Sequence, residues 1–453
     1  MKTSVIATCV LIIFAGSLPL SHHIQRPNNG DGWRVLRSAH ILSLQDNPAH
    51  QPFPRFYDFR AIGDIDSRAL IPMSSSAAIV ELVSFVQRAA QFKHFDFLWV
   101  TATYSAVYFL GILLLLLNIR SILALPMLLF LVNPYVLAYF NSPYEESLFI
   151  ALCPMLSFFF LREGVSGGFA TRMISLAMAS TTVHSLPALL FGIKNLKPKH
   201  SIVYLLMSML VISMVVMKVS KSKEPNSYNR YFNGLSYSMS GVSAWPVNDF
   251  MARQSIAGTM TTSRGVVFPA DSLRIRNYWG TSFWPTGYKL DAADGGYVSQ
   301  NAGKWYWETA LANPHSYYRL LTEPLFTMIK ADYRMNYVFI SDMNNGWLDI
   351  HARVMRIFGL LVLLSSMGVL VVAICHRHPW YVIVACVPLM YPLLVVYGDG
   401  YYEFERHVFP VLFLEVVFSI ALLFMGHSRP VARRANIRGV SGVRAAESSS
   451  LTA

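Results

Sequence analysis

Three short stretches carry residue types that could do chemistry. NSPYEESLF (141–149) places Tyr144 just before two adjacent glutamates, Glu145 and Glu146. YGDGYYEFERHVFP (397–410) gathers Asp399, Glu403, Glu405, Arg406 and His407 where an apolar run begins. NNGDGWRVLRSAHIL (28–42) sets Asp31 between two glycines. A carboxylate can take a proton from a hydroxyl as general base. A guanidinium grips a phosphate through forked, charge-assisted hydrogen bonds. A charge at the centre of a bilayer costs at least about 2–3 kcal/mol. Glu145 and Glu146 are flanked by runs apolar enough to cross a bilayer, so they belong either at a membrane surface or to a function. A fourth stretch, FYDFRAIGDIDSRALIP (56–72), adds Asp58, Asp64 and Asp66. Hard cations take carboxylate oxygens, which makes Asp64 and Asp66 a candidate divalent-cation pair. Arg60 and Arg68 beside them could equally neutralise them.

The elements that must position these residues are membrane spans. The chain of 453 residues is 54% hydrophobic and only 14% charged, with a mean hydropathy of +0.41. Soluble domains are nearer 25% charged, so this is an all-α polytopic membrane protein. The net charge of +12 points to basic cytoplasmic loops. No nucleic-acid-binding signature accompanies it, so nucleic acid is not an expected partner. Cys9, Cys153, Cys375 and Cys386 lie in or beside apolar runs and read as buried small apolar residues, with no disulfide framework and no metal cluster.

A span needs about 20 apolar residues. Candidates are 4–20, 97–117, 121–140, 146–161, 201–217, 354–375, 380–397 and 407–425. Residues 4–20 could instead be a signal peptide, but no small-x-small cleavage site follows and an uncleaved first span is preferred. Basic residues flank 165–193 on both sides, which fits a hairpin of two short helices turning near Thr181–Thr182–Val183–His184. The count is then about ten spans with both termini cytoplasmic. His184, at that turn, reads as a buried, hydrogen-bonded histidine. Residues 1–217 form an N-terminal transmembrane module whose first outer loop is 21–96. Residues 218–353 form a long outer segment, and 354–425 the C-terminal helices. Residues 426–453 are a disordered basic cytoplasmic tail. The outer segment is rich in tryptophan (Trp245, Trp279, Trp284, Trp305, Trp307 and Trp347), a composition that favours a folded cap over a linker.

In the first outer loop, SSSAAIVELVSFVQRAAQF (74–92) places Glu81, Ser84, Arg88 and Gln91 on one helical face, with apolar residues over most of the rest. That pattern describes a helix lying in the membrane interface. Glu145 and Glu146 at the start of a span also suit a helix N-terminus, with Asn141 or Ser142 as cap. Arg406 on the outer side runs against the positive-inside rule. An outward Arg–His pair at lipid-phosphate depth is therefore a candidate phosphate holder.

The layout resembles the GT-C type polytopic glycosyltransferases. The stretches that carry the resemblance are Asp31 in the loop after the first span, NPYVLAYFNSPYEESLFIAL, the hairpin, and GDGYYEFERHVFPVLFL with Arg406 and Pro410. The second is similar to the segment between the third and fourth spans of the GPI mannosyltransferase and bacterial relatives. NRYFNGLSYSMSGVSAWPVNDFMARQSIAG resembles a region of bacterial envelope-glycan hexosyltransferases. The resemblance implies transfer of a sugar from a polyprenyl-phosphate-linked donor to a glycan, lipid or protein acceptor. It places the active site on the outer side of a bacterial inner membrane, among membrane lipid. It implies that Asp31 is the catalytic base, with Asp58, Asp64 or Asp66 as alternatives. Arg406 and His407 would hold the donor phosphate. Glu145, Glu146, Tyr144 and Asp399 would contact sugar or acceptor. No cofactor is required, though a divalent cation could take part. A polysaccharide polymerase or ligase shares this layout; a transporter fits less well, since no inverted repeat is found.

Overall fold

The computed structural model describes residues 3–21, 24–25, 35–36, 39–43, 53–59, 74–118, 130–161, 165–193, 198–220, 314–331, 333, 338–339, 346–376, 379–399 and 404–425. The chain opens with helix α1 (Thr3–Ser21). The segment that follows contributes strands β1 (Ile24–Gln25), β2 (Ile41–Ser43) and β3 (Phe56–Phe59), helix α2 (Ser75–Ala89) and strand β4 (Phe95–Asp96). Helix α3 (Leu98–Leu116) follows, then a single turn α4 (Pro134–Leu137) continued by a 3-10 turn (Ala138–Asn141). Next come α5 (Glu146–Leu161), α6 (Val165–Ala179), a 3-10 turn (Val183–Ala188), α7 (Leu189–Ile193) and α8 (Pro198–Ser220). Later in the chain come α9 (Pro314–Lys330), β5 (Val338–Phe339) and α10 (Gly346–Arg356). Helices α11 (Phe358–His376), α12 (Pro379–Asp399) and α13 (Phe404–Met425) complete it.

Among the described residues, four helices are long and apolar enough to cross a membrane, at Leu98–Leu116, Phe358–Cys375, Pro379–Val396 and Arg406–Leu423. The last is the hub. Its window is 89% buried, against 39% for each of the others. It packs on α5, α11 and α12. Phe418 meets Phe160 of α5 and Phe191 of α7 edge-on, at 5.2 and 5.5 Å. The other three helices leave apolar faces outside the bundle, including Leu110, Leu364, Val371 and Leu394, as lipid-facing helices do. Helices α3 and α5 approach closely at Gly111. A Cβ there would stand 2.9 Å from the backbone nitrogen of Met155 and from Pro154 Cβ.

Three expectations need correction. The run 121–140 is not one helix over its described part. Pro134 has no N–H and cannot continue a helix from the preceding residue. Asn133 is extended there, and its side chain accepts from Tyr135 N–H at 3.0 Å to start a single new turn. The apolar residues from Tyr135 to Phe140 are buried in the bundle core. Second, the fold is not purely helical. β2, β3 and β4 form an antiparallel three-stranded sheet, and β1 pairs with β5, Ile24 opposite Phe339. These strands tie the segment between α1 and α3 to itself and to the one between α9 and α10. Third, Cys375 and Cys386 are exposed on the bundle surface while Cys153 is buried; all four thiols are free.

The hairpin turns between Ala179 and Val183, inside the expected window. Helix α2 forms over the expected stretch, with Ser74 Oγ accepting from Ala77 N–H as its cap. Its faces are sorted differently from the expectation. Ser84 is buried, and the Arg88 guanidinium lies 4.5 Å from the Phe59 ring while donating to the His40 carbonyl. Gln91 falls beyond the helix at φ 60°, a left-handed position that glycine adopts more readily. Leu82, Phe85 and Val86 face outward. A helix that buries a mixed face on protein and turns large apolar side chains outward is suited to an interface with lipid.

Candidate functional site

The start of α13 collects two elements that lie far apart in the chain. Arg406 and His407 are consecutive, so on a helix their side chains diverge by about 100°. Arg406 reaches the start of α5. Its guanidinium stands 3.5 Å from Glu146 Oε1 and lies over the Tyr144 ring at 4.3 Å from the centroid. Both charged side chains are at most 5% exposed. His407 turns to the hairpin, where its ring meets that of His184 with centroids 4.4 Å apart. Tyr391 of α12 closes this side, its hydroxyl donating to the His184 carbonyl at 2.5 Å.

The turn bearing the glutamates is held by its own side chains. Ser147 Oγ lies 2.6 Å from the Tyr139 carbonyl and 3.1 Å from that of Ser142. Asn141 does not cap α5. Its amide donates to the Ser21 carbonyl at 2.7 Å and pins the turn to the end of α1. The Ser142 carbonyl is the second acceptor for Ser147 Oγ. Glu146 is the first residue of α5 and points into the protein, whereas Glu145 is half-buried. Glu146 is thus withdrawn from the aqueous surface position expected for a sugar ligand, because Arg406 draws it inward.

The segment between α1 and α3 packs against this turn. Ser76 Oγ donates to the Glu145 carbonyl at 2.6 Å, and Ser75 Oγ to the Ala177 carbonyl at 2.7 Å. Phe53 meets the Tyr144 ring edge-on at 5.5 Å. Helix α2 is fixed to β4 by a two-way bond between the Gln87 amide and the backbone of Asp96, both at 2.8 Å. Asp96 in turn accepts a fork from Arg55 at 2.9 and 2.7 Å. Burial pushes the Asp96 carboxyl upward, but the Arg55 fork, the Leu98 amide and the Arg55 charge outweigh it and hold the group below its ordinary value.

Of the expected site residues, Tyr144, Glu146, Arg406 and His407 are brought together, with Glu145 adjacent. Asp399 is the last residue of α12, and its side chain lies outside the described residues, as do Asp31, Asp64 and Asp66. Asp58 pairs with His94 at 3.0 Å on the small sheet. Among the described residues no group of three or more His, Cys, Asp or Glu could hold a metal. His184 is half-buried and beside His407, not enclosed as expected. Its place at the hairpin turn was the available signal. Nothing in the sequence marks Tyr391, Phe53 or Ser76 as neighbours of the site.

The family model of the YfdI N-terminal transmembrane domain matches residues 1–241, more than half of the chain. The chain belongs to the YfdI family. No curated protein and no solved structure matches it. The YfdI-type module contains Tyr144, Glu146 and His184, while Arg406 and His407 lie beyond its matched end. The cluster is therefore completed by a later helix reaching back into the module.

Proposed function

We propose that this YfdI-family protein is a GT-C type glycosyltransferase, moving a sugar from a polyprenyl-phosphate-linked donor to an envelope glycan, lipid or protein acceptor. The observation that carries the reading is the enclosed guanidinium of Arg406, set at the start of a membrane-spanning helix, beneath the first outer loop and against Tyr144 and Glu146. A cation at the end of a span is what a lipid-borne phosphate leaving group requires. Aromatic faces nearby suit the apolar faces of a sugar ring.

In this reading the acceptor hydroxyl gives its proton to Asp31 and its oxygen attacks the anomeric carbon. The carbon–oxygen bond to phosphate breaks, and its electron pair goes to the phosphate held by Arg406 with His407. The anomeric centre inverts. About ten spans with both termini cytoplasmic set this chemistry on the outer face of a bacterial inner membrane. A divalent ion, if used, has Asp64 and Asp66 as its candidates.

The test is transfer by purified protein from polyprenyl-phosphate sugars, followed by mass spectrometry of envelope glycans with and without the protein. Replacing Asp31 by Asn should lower transfer by about a hundredfold or more; an unchanged rate would overturn its role. The close His184–His407 ring pair beside Arg406 favours a second reading, a polysaccharide polymerase or ligase that relies on Arg and His. Full activity in Asp31→Asn together with loss in Arg406→Gln would select it.

A further inference from the structure

Helix α10 and the spanning helix α11 share one pattern of burial. Leu348, Ala352, Met355, Phe358, Val362 and Val369 are buried. Their spacing of three, four or seven residues is that of one face of a single helical rod. The phase survives the junction at Ile357, whose carbonyl accepts from Leu361 N–H at 3.0 Å. The exposed stripe opposite therefore also runs through both helices. From the junction onward it is apolar, with Ile357, Leu360, Leu364 and Val371 exposed. In α10 the same stripe carries the exposed Arg353 and Arg356.

Both arginines lie in the last turn of α10, where the helix dipole favours cations. That accounts for positive charge there, but not for its place on the stripe that continues as the lipid-facing side of α11. Arg353 makes no hydrogen bond or ion pair among the described residues, and Asp349, one turn earlier on the same face, is not its partner. Depth agrees with this placement. At about 1.5 Å per residue, Arg353 stands about 8 Å beyond Phe358, the first residue of the span. The headgroup layer on each side of the hydrocarbon core is about 5–8 Å thick. The guanidinium thus falls where lipid phosphates lie, in line with the apolar stripe.

We propose that α10 and α11 together hold an anionic phospholipid. Arg353, with Arg356 beside it, meets the phosphate, and an acyl chain lies along Leu360, Leu364 and Val371. A guanidinium is weakly hydrated and its fork matches phosphate oxygens. Two arginines against Asp349 leave this face with a net positive charge, which favours an anionic headgroup over one that carries its own cation. The site lies on the surface of the bundle and does not depend on the reading of Arg406.

Native mass spectrometry of the full-length protein, released from nanodiscs of equal phosphatidylglycerol and phosphatidylcholine, reads the lipid retained. Wild type should retain phosphatidylglycerol over phosphatidylcholine by about fivefold or more. Arg353→Gln should remove most of that preference. Arg353→Lys should keep part of it, since the charge remains and the fork does not. Lys93→Gln, which removes an exposed charge elsewhere, should leave it unchanged. Arg353 is exposed, so its variants should keep the wild-type thermal midpoint. No preference in wild type, an undiminished preference in Arg353→Gln, or an equal loss in Lys93→Gln would overturn the site. Release of the bound lipid by excess sn-glycerol 3-phosphate would overturn the lipid as its occupant.

Discussion

The imidazole of His184 lies against that of His407, centroids 4.4 Å apart and planes tilted by 36°, so the hairpin turn and the start of α13 meet through two histidines. Side chains acting as one unit lose function together. Under the proposed reading, His184→Ala and His407→Ala should each lower transfer about tenfold, and the double variant should lose little more. Steady-state transfer by the four proteins checks this; fully additive losses would mean the rings act separately.

Arg406 and Glu146 should also be coupled in stability. Removing one member takes a counter-charge from the buried other, and breaking such a pair costs up to about 3–5 kcal/mol. Arg406→Gln is expected to lower the thermal midpoint strongly, and the Arg406→Gln, Glu146→Gln double variant to recover much of the loss. Thermal unfolding in detergent, as a double-mutant cycle, measures the coupling.

His351 gives a pH prediction outside the spans. It lies on the buried stripe of α10 with Leu348, Ala352 and Met355, and burial lowers its value to about 4. The ordinary value is 6.5, so between these two the unfolded chain binds more protons than the folded one. Stability is therefore complete above about pH 6.5 and falls as pH drops toward 4, by up to about 3 kcal/mol. His351→Gln should flatten that slope. Unfolding midpoints from pH 4 to 7 read it out, and an equal slope in the variant would assign it to another group.

Gly111 faces backbone across α3 and α5, so the neighbour cannot yield as a flexible side-chain end would. Gly111→Ala should destabilise by about 1–3 kcal/mol despite the better helix propensity of alanine. Gly16, with nothing within 4 Å of its Cβ position, should tolerate the same change, and comparing the two midpoints isolates the packing effect.

Glu415 lies in the middle of α13, 3% exposed, and among the described residues its Oε1 has no hydrogen-bond partner. Such a group works against folding unless it has a task. Glu415→Leu should match or exceed wild-type stability by about 1 kcal/mol. A clear loss in thermal midpoint would mean that the carboxyl's hydrogen bond with Ser419 outweighs the cost of its burial.

How far the sequence reaches can be argued from these residues. Periodicity and turn chemistry located α2, the hairpin and the start of α13, because each depends on neighbours within a few positions. Residue type also singled out Tyr144, Glu146, Arg406 and His407, since charge is rare in such a chain and must be placed with reason. The partnership of Glu146 with Arg406 was not legible. Local rules favour an acidic residue at a helix start whether it faces water or protein, and only the docking of α13 decides. The broken segment after Asn133 was hidden for the opposite reason: a buried apolar run and a lipid-facing one have the same composition. Asp31 remains an expectation from resemblance, outside the described residues.

The outward side of α2 bears on how an encounter with this site is counted. Leu82, Phe85 and Val86, with Phe92 and Trp99 nearby, present an apolar edge, while Ser75 and Ser76 at the other end of the helix bond to the hairpin and to the glutamate turn. One helix thus links the cluster to an apolar edge suited to the hydrocarbon boundary. A ligand anchored by a hydrocarbon tail moves in a plane at that same depth. Its supply is governed by mole fraction in the leaflet, not by volume concentration, and dilution of the surrounding water leaves occupancy unchanged.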